Sequence, residues 1–228
     1  MHIMKKTLSI LLGIALVPFC FGFTWQFGST VFGMRYKPDL PYFFAAGSLA
    51  YITLHVLFRK PILTYVFGHE LTHAFFAVLF GGSVKSFHAS DRGGRVTITK
   101  SNVIITLAPY FFPLYTFVAL LLYGTAVAAG LQGAVNWLVF LVGATFAFHL
   151  ILTAIFLQTE QTDISEYGMI FSFPLIYLFN VTFTALLVQY LLAENGEYLL
   201  FLAGGIMKSV TVAMLILGKS CSLIKNVI

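Results

Sequence analysis

Charge is the scarcest property of this 228-residue sequence: Asp, Glu, Lys and Arg make up 9% of it, and only 8 residues are acidic. An ordinary soluble domain carries roughly 25% charged residues. The chain therefore cannot cover a water-facing surface. Cysteine is nearly absent as well. Cys20 and Cys221 stand near opposite ends of the sequence without a CxxC or other ligand spacing, which excludes a disulfide-knotted module and a cysteine metal site. No internal repeat, low-complexity tract or polar linker interrupts the sequence. The expectation is a single integral-membrane domain over residues 1–228, neither disordered nor a coiled coil.

What fills the space is apolar: 59% of the residues are hydrophobic, with 25 Phe and 11 Tyr. Runs free of charge extend from Thr7 to Met34, Leu40 to Phe58, Ser101 to Thr159, Tyr167 to Ala193 and Tyr198 to Gly218, the last broken by Lys208. Pro61 to Val84 holds one acid. About 20 apolar residues cross a bilayer, so seven spans would use roughly 140 positions, and no sizeable soluble domain fits beside them. The Ser101–Thr159 run is too long for one helix, and Gly124, Gly130 and Gly133 mark the turn between two. The fold class is an all-α polytopic membrane protein of about six to seven transmembrane helices. Lys5 and Lys6 before the first run imitate a secretory signal, but no small-residue cleavage pattern follows, so a retained first span is expected. The net charge of +5 resides mostly in short loops, where anionic headgroups attract bases. The bilayer is the expected partner, not nucleic acid, and the sequence specifies no oligomeric state.

After the third run the pattern changes. Val84-Lys85-Ser86-Phe87-His88, a polar Ser90–Arg95 turn and Val96-Thr97-Ile98-Thr99 predict a small β-hairpin. Beside a membrane its backbone groups need partners, so it should pack on helices or line a wet cavity.

The chemistry lies in His69-Glu70-Leu71-Thr72-His73, an HExxH inside an apolar span. Residues four apart share a helix face, so both imidazoles can hold one metal ion while Glu70 faces the open position and takes a proton from water. An acid in mid-span costs on the order of 2.5–3.5 kcal/mol and must face protein or water. Zinc is the expected ion, because two imidazoles and a third ligand leave an open tetrahedral site. Candidates for the third ligand are His55, His88, Asp91, His149, Glu160, Asp163 and Glu166. Asp163-Ile164-Ser165-Glu166 also fits an N-cap with a capping-box Glu. Asn136, Thr145, His149 and Thr153 are candidates to line a path for water.

The HExxH in a transmembrane helix, the Gly-rich hairpin after it and an Asp at the start of a later helix together resemble the site-2 protease family of intramembrane zinc metalloproteases, over roughly Pro61 to Gly168. The resemblance implies a catalytic core at about 61–168, with His69 and His73 as zinc ligands, Asp163 as the third and Glu70 as general base. It also implies cleavage of a membrane-protein substrate. The family's Asn-Pro element and Asp-Gly pair are replaced here by Gln161-Thr162-Asp163-Ile164-Ser165. Thr106–Pro113 resembles the family's proline-bearing fourth span, and no PDZ-like insertion is seen, as in a minimal core. Val96, Thr97 and Ile98 are the candidate substrate-binding strand, through β-addition. A catalytically inactive scaffold, or a metal-binding or transport protein of the same fold, is the competing expectation.

Overall fold

The structure, a computed structural model, describes residues 2–58, 60–159 and 161–225. Arg59, Glu160 and the side chain of Cys221 lie outside the described residues. Six helices among them are long and apolar enough to cross a membrane, or seven if one bent pair counts as a span. The chain is a multi-pass integral membrane protein, and its described residues form helices joined by short loops, with one antiparallel hairpin. It divides into two compact units, residues 37–165 and residues 1–36 with 166–228.

The first of these contains α2 (Leu40–Leu57), α3 (Ile62–Leu79), β1 (Val84–Ser90), β2 (Gly93–Ile98), α4 (Val103–Leu107), α5 (Leu114–Ala128) and α6 (Gln132–Phe156). Helices α2 and α6 pack through reciprocal glycines. A Cβ on Gly47 would lie 1.9 Å from the Phe140 carbonyl oxygen, and one on Gly143 would lie 2.1 Å from that of Phe44. Small residues let backbones approach closely where lipid offers no hydrophobic drive to associate. Ser48 uses the closeness, its hydroxyl donating to the Gly143 carbonyl at 3.1 Å.

Helix α3 stops at a glycine closure. Gly81, at φ 77°, lets its N–H reach Val78 O at 2.9 Å and the next N–H, of Gly82, reach Ala77 O at 2.7 Å, which satisfies the last carbonyls before the chain turns into β1. The Gly130 end of α5 closes alike, on Val127 and Ala126. Of the three glycines expected at this turn, only Gly130 forms it; Gly124 and Gly133 lie within α5 and α6. The hairpin pairs Phe87 with Val96 and Ser90 with Gly93, and an irregularity separates Val84 from Ser86. It packs on α3 through both strands.

The fourth span is broken. Helix α4 is capped by the Asn102 side chain, which accepts from Ile105 N at 2.9 Å. A 3-10 turn, Ala108–Tyr110, follows, and α5 leaves at 77°. Pro109 and Pro113 bracket the break, as residues without an N–H must. Behind it Tyr65, Phe148 and Leu152 form a buried cluster, with the Tyr65 and Phe156 rings stacked at 4.3 Å.

In the other unit, α1 (His2–Gly33) packs on α8 (Met169–Leu192) and α9 (Tyr198–Lys225). Gly13 faces the Ile170 carbonyl and Gly22 faces Ser209 with no room for a Cβ. Lys208 neither ends α9 nor leaves its charge without a partner: Nζ donates to Ser29 Oγ at 2.6 Å and lies 5.0 Å from the Trp25 ring centroid. A cation over an aromatic face is attracted by the ring quadrupole.

Gly143→Ala is expected to lower the thermal midpoint of the detergent-solubilised protein, through an overpacking cost of about 1–3 kcal/mol. Gly133→Ala, where an added Cβ meets nothing within 4 Å, is expected to hold or raise it. Equal midpoints in a thermal melt of the two variants would contradict the close-approach role of Gly143.

Candidate metal centre

The HExxH turn sits midway along α3, where Gly68, Glu70, Thr72 and His73 are all buried. His69 and His73 stand one turn apart, their ring centroids separated by 4.9 Å. Asp163 comes from α7 (Thr162–Tyr167). Its Oδ2 lies 3.3 Å from Nε2 of His69 and 3.3 Å from Nε2 of His73. Among the described residues, these three form the one group of His, Cys, Asp and Glu whose ligand atoms all lie within 4.8 Å of one another.

The other candidate ligands are elsewhere. His55 pairs with Tyr51 Oη at 3.2 Å, His88, Asp91 and Glu166 are exposed, and His149 lies on α6. Glu160 is outside the described residues. The capping alternative for Asp163 also gives way: α7 begins a residue earlier, and Ser165 N–H bonds to Gln161 O at 3.1 Å. Asp163 thus occupies the first helical turn with its carboxylate turned to the histidines.

Hydrogen bonding fixes what each nitrogen offers. His73 Nδ1 lies 2.8 Å from the Ile105 carbonyl oxygen. A carbonyl only accepts, so Nδ1 carries the hydrogen and Nε2 turns its lone pair to Asp163. A lone pair facing a carboxylate oxygen needs positive charge between them, which either a metal ion or a second ring proton supplies. His69 Nδ1 is buried without a hydrogen-bond partner. Burial alone would push the Asp163 carboxyl up, but its close pairing with His69 and His73 outweighs burial and holds it well below the usual carboxylate range. The site is therefore an anionic oxygen with two imidazoles, a donor set that suits a first-row divalent ion.

Two further groups complete the surroundings. Glu70 is 8% exposed, within electrostatic reach of His73 and Asp163, and the Val96 backbone N–H is its hydrogen-bond donor. Strand β2 comes that close because residue 94 is glycine: a Cβ there would lie 2.5 Å from Glu70 Cγ. Amides alternate sides along a strand. Thr99 N–H points inward to Ser83 O at 3.0 Å, so Thr97 also faces β1, and its hydroxyl accepts from Ser86 Oγ at 2.8 Å. Val96 and Ile98 then share the outer edge. Of the three predicted strand residues, Val96 reaches Glu70, and Thr97 serves the hairpin itself.

Sequence reasoning missed Tyr110. Its hydroxyl donates to Asp163 Oδ2 at 3.1 Å, and its ring meets that of His69 edge-on at 5.1 Å. Only its place between Pro109 and Pro113 could have drawn notice. A cleft of about 20 Å³ beside His69 is lined by Thr72, Tyr115, Thr145 and His149, among others. That is room for about one water. Thr145 bonds back to Leu141 O at 2.9 Å, as threonines in helices commonly do, and Asn136 is not among the lining residues.

A multi-pass helical membrane protein with a metal-type donor set built from its third span and α7 is the class that fold and site define. The family described as Peptidase M50B-like matches residues 43–159. The chain belongs to this family, a branch of the site-2 proteases, and with it to membrane proteins of metalloprotease type. The matched region contains the HExxH and ends four residues short of Asp163. No curated protein and no solved structure matches the chain.

Asp163→Ala is expected to abolish retention of a divalent metal by protein purified in detergent, and Glu166→Gln to leave it intact. Elemental analysis of the metal-to-protein ratio is the check. Full retention in Asp163→Ala would move the third ligand to another residue.

Proposed function

We propose that the chain is a zinc metalloendopeptidase that hydrolyses a peptide bond in or near a transmembrane segment of a membrane-protein substrate. The observation that carries this reading is the convergence of His69, His73 and Asp163 beside a buried Glu70 inside a membrane-spanning helix. Family membership supports the same chemistry.

In this reading His69, His73 and Asp163 hold the ion. When bound, zinc supplies Lewis acidity, which acidifies water and polarises a carbonyl. Glu70 takes the proton of the attacking water as the new C–O bond forms, then delivers it to the amine nitrogen as the C–N bond breaks. Water and a peptide are consumed, and a carboxyl and an amine are released, with no acyl-enzyme. The Val96 amide holds the Glu70 carboxylate in place, so the base is oriented before substrate arrives.

A transmembrane helix hides its carbonyls in intrahelical bonds and must unwind locally to be cut. The outer edge of β2 offers unpaired backbone groups to such a segment by β-addition. Ile98 presents its N–H on that edge, next to Val96 and hence next to Glu70. The substrate is extended there because only an extended chain matches a strand's hydrogen-bond spacing.

Glu70→Gln is expected to keep about one zinc per chain and to lose at least 100-fold in cleavage of transmembrane peptides in proteoliposomes, the usual scale for a general base. Ile98→Pro removes one outward amide without touching the hairpin ladder, and should lower cleavage several-fold at unchanged zinc content. Zinc loss in Glu70→Gln, or unaltered turnover in either variant, would overturn the corresponding role. A native protein that binds zinc and cuts no transmembrane peptide would favour the scaffold alternative.

A further inference from the structure

Pro109 and Tyr110 lie side by side in the 3-10 turn that breaks the fourth span; Tyr110 bonds directly to Asp163, and Pro109 stands four residues after Ile105, whose carbonyl meets His73. We propose that this dipeptide is the positioning device of the metal centre: Pro109 fixes the His73 ring by withholding an amide from the Ile105 carbonyl, and Tyr110 fixes the Asp163 carboxylate by donating to it. The inference rests on the metal-site reading above and adds the residues that orient its ligands.

The argument for Pro109 begins with backbone bookkeeping. In an α-helix the carbonyl of residue i accepts from the N–H of residue i+4. For Ile105 that partner is residue 109, a proline, which has no N–H. The neighbouring amide is already committed, since Ala108 N–H bonds to Ile104 O. Ile105 is 0% exposed, so its carbonyl can turn neither to its own helix nor to bulk water. A buried unpaired carbonyl costs free energy comparable to a lost hydrogen bond. His73 Nδ1–H, at 2.8 Å, removes that cost. The same bond locks the ring in the tautomer that points Nε2 at Asp163, and a carbonyl partner raises the basicity of that nitrogen.

Tyr110 acts on the opposite side. Its side chain is fully buried, so its hydroxyl has a fixed direction. It lies 3.1 Å from Asp163 Oδ2 and 3.4 Å from Gln161 Oε1. The single phenolic hydrogen goes to the nearer and negatively charged oxygen, the stronger acceptor. Asp163 stands on a helix of only 6 residues, a short platform for a ligand. The bond from Tyr110 supplies the rigidity that this platform lacks.

The test measures zinc affinity of the full chain in detergent by competition with a chromophoric chelator, together with the visible spectrum of the cobalt(II)-loaded protein. Pro109→Ala returns an N–H to position 109, where it competes with His73 for the Ile105 carbonyl. Tyr110→Phe removes one hydroxyl and nothing else. Each is expected to weaken zinc binding by about 10- to 100-fold, the usual effect of removing a ligand's outer partner, with an altered cobalt spectrum and an apo-protein thermal midpoint close to native. Replacing residue 109 by the α-hydroxy acid analogue of alanine, which puts an ester where the amide would be, should restore native affinity because it again lacks the N–H. That rescue separates the missing hydrogen from the proline ring. Native affinity in Pro109→Ala and Tyr110→Phe, or an ester variant as weak as Pro109→Ala, would overturn the proposal while leaving the metal site standing. A native chain that binds neither zinc nor cobalt would overturn both.

Discussion

One electrostatic requirement organises this molecule: a carboxylate oxygen and two imidazole nitrogens meet inside a protein whose surroundings are hydrocarbon. Asp163 Oδ2 sits 3.3 Å from each ring, a distance at which lone pairs repel unless positive charge lies among them. Low polarity enlarges every such interaction, favourable or not. The flanking structure is arranged around that condition. Helix α3 sets the imidazoles one turn apart and edge-on, the broken fourth span supplies a carbonyl to His73 and a phenol to Asp163, and α7 brings the anion. Around this sit aromatic rings, Tyr65, Phe148 and Phe156 among them, and Tyr65 and Phe148 line the small cleft beside His69.

Much of this was legible in the sequence because membrane and metal constraints are local. Charge-free runs predict spans from length alone, and the hairpin announces itself by alternation and a Gly-rich turn. His69, Glu70 and His73 are fixed by a helical spacing that one turn suffices to express. Asp163 could be singled out from the seven candidate third ligands only through resemblance, since it lies 94 residues from His69 in sequence and its surroundings also suit a helix cap. No propensity argument separates these roles; the direction of the carboxylate does, and that is set by packing. Tyr110 was invisible for a stronger reason. A tyrosine in an apolar run looks like any other aromatic until the backbone break aims its hydroxyl.

The prolines show how the same residue carries a local and a distant meaning. By local rules Pro109 and Pro113 disrupt a helix, and the 77° bend between α4 and α5 is that disruption. Membrane helices accept such breaks only where other groups satisfy the freed backbone. Here one of the groups is His73, so the repair of a helix defect and the orientation of a candidate ligand are one hydrogen bond. The glycines divide similarly. Gly81 shapes a turn, Gly47 and Gly143 admit a neighbouring helix, and Gly94 admits Glu70.

The last of these contacts has a kinetic consequence. If β2 receives substrate as proposed, the strand that does so is also the strand that holds Glu70, because Val96 bonds to Glu70 where the absence of a side chain at Gly94 allows it. A shift of β2 moves both together. Substrate preference and turnover cannot then drift independently, and a change of diet in such an enzyme must come from side chains that spare the backbone of Gly94 and Val96.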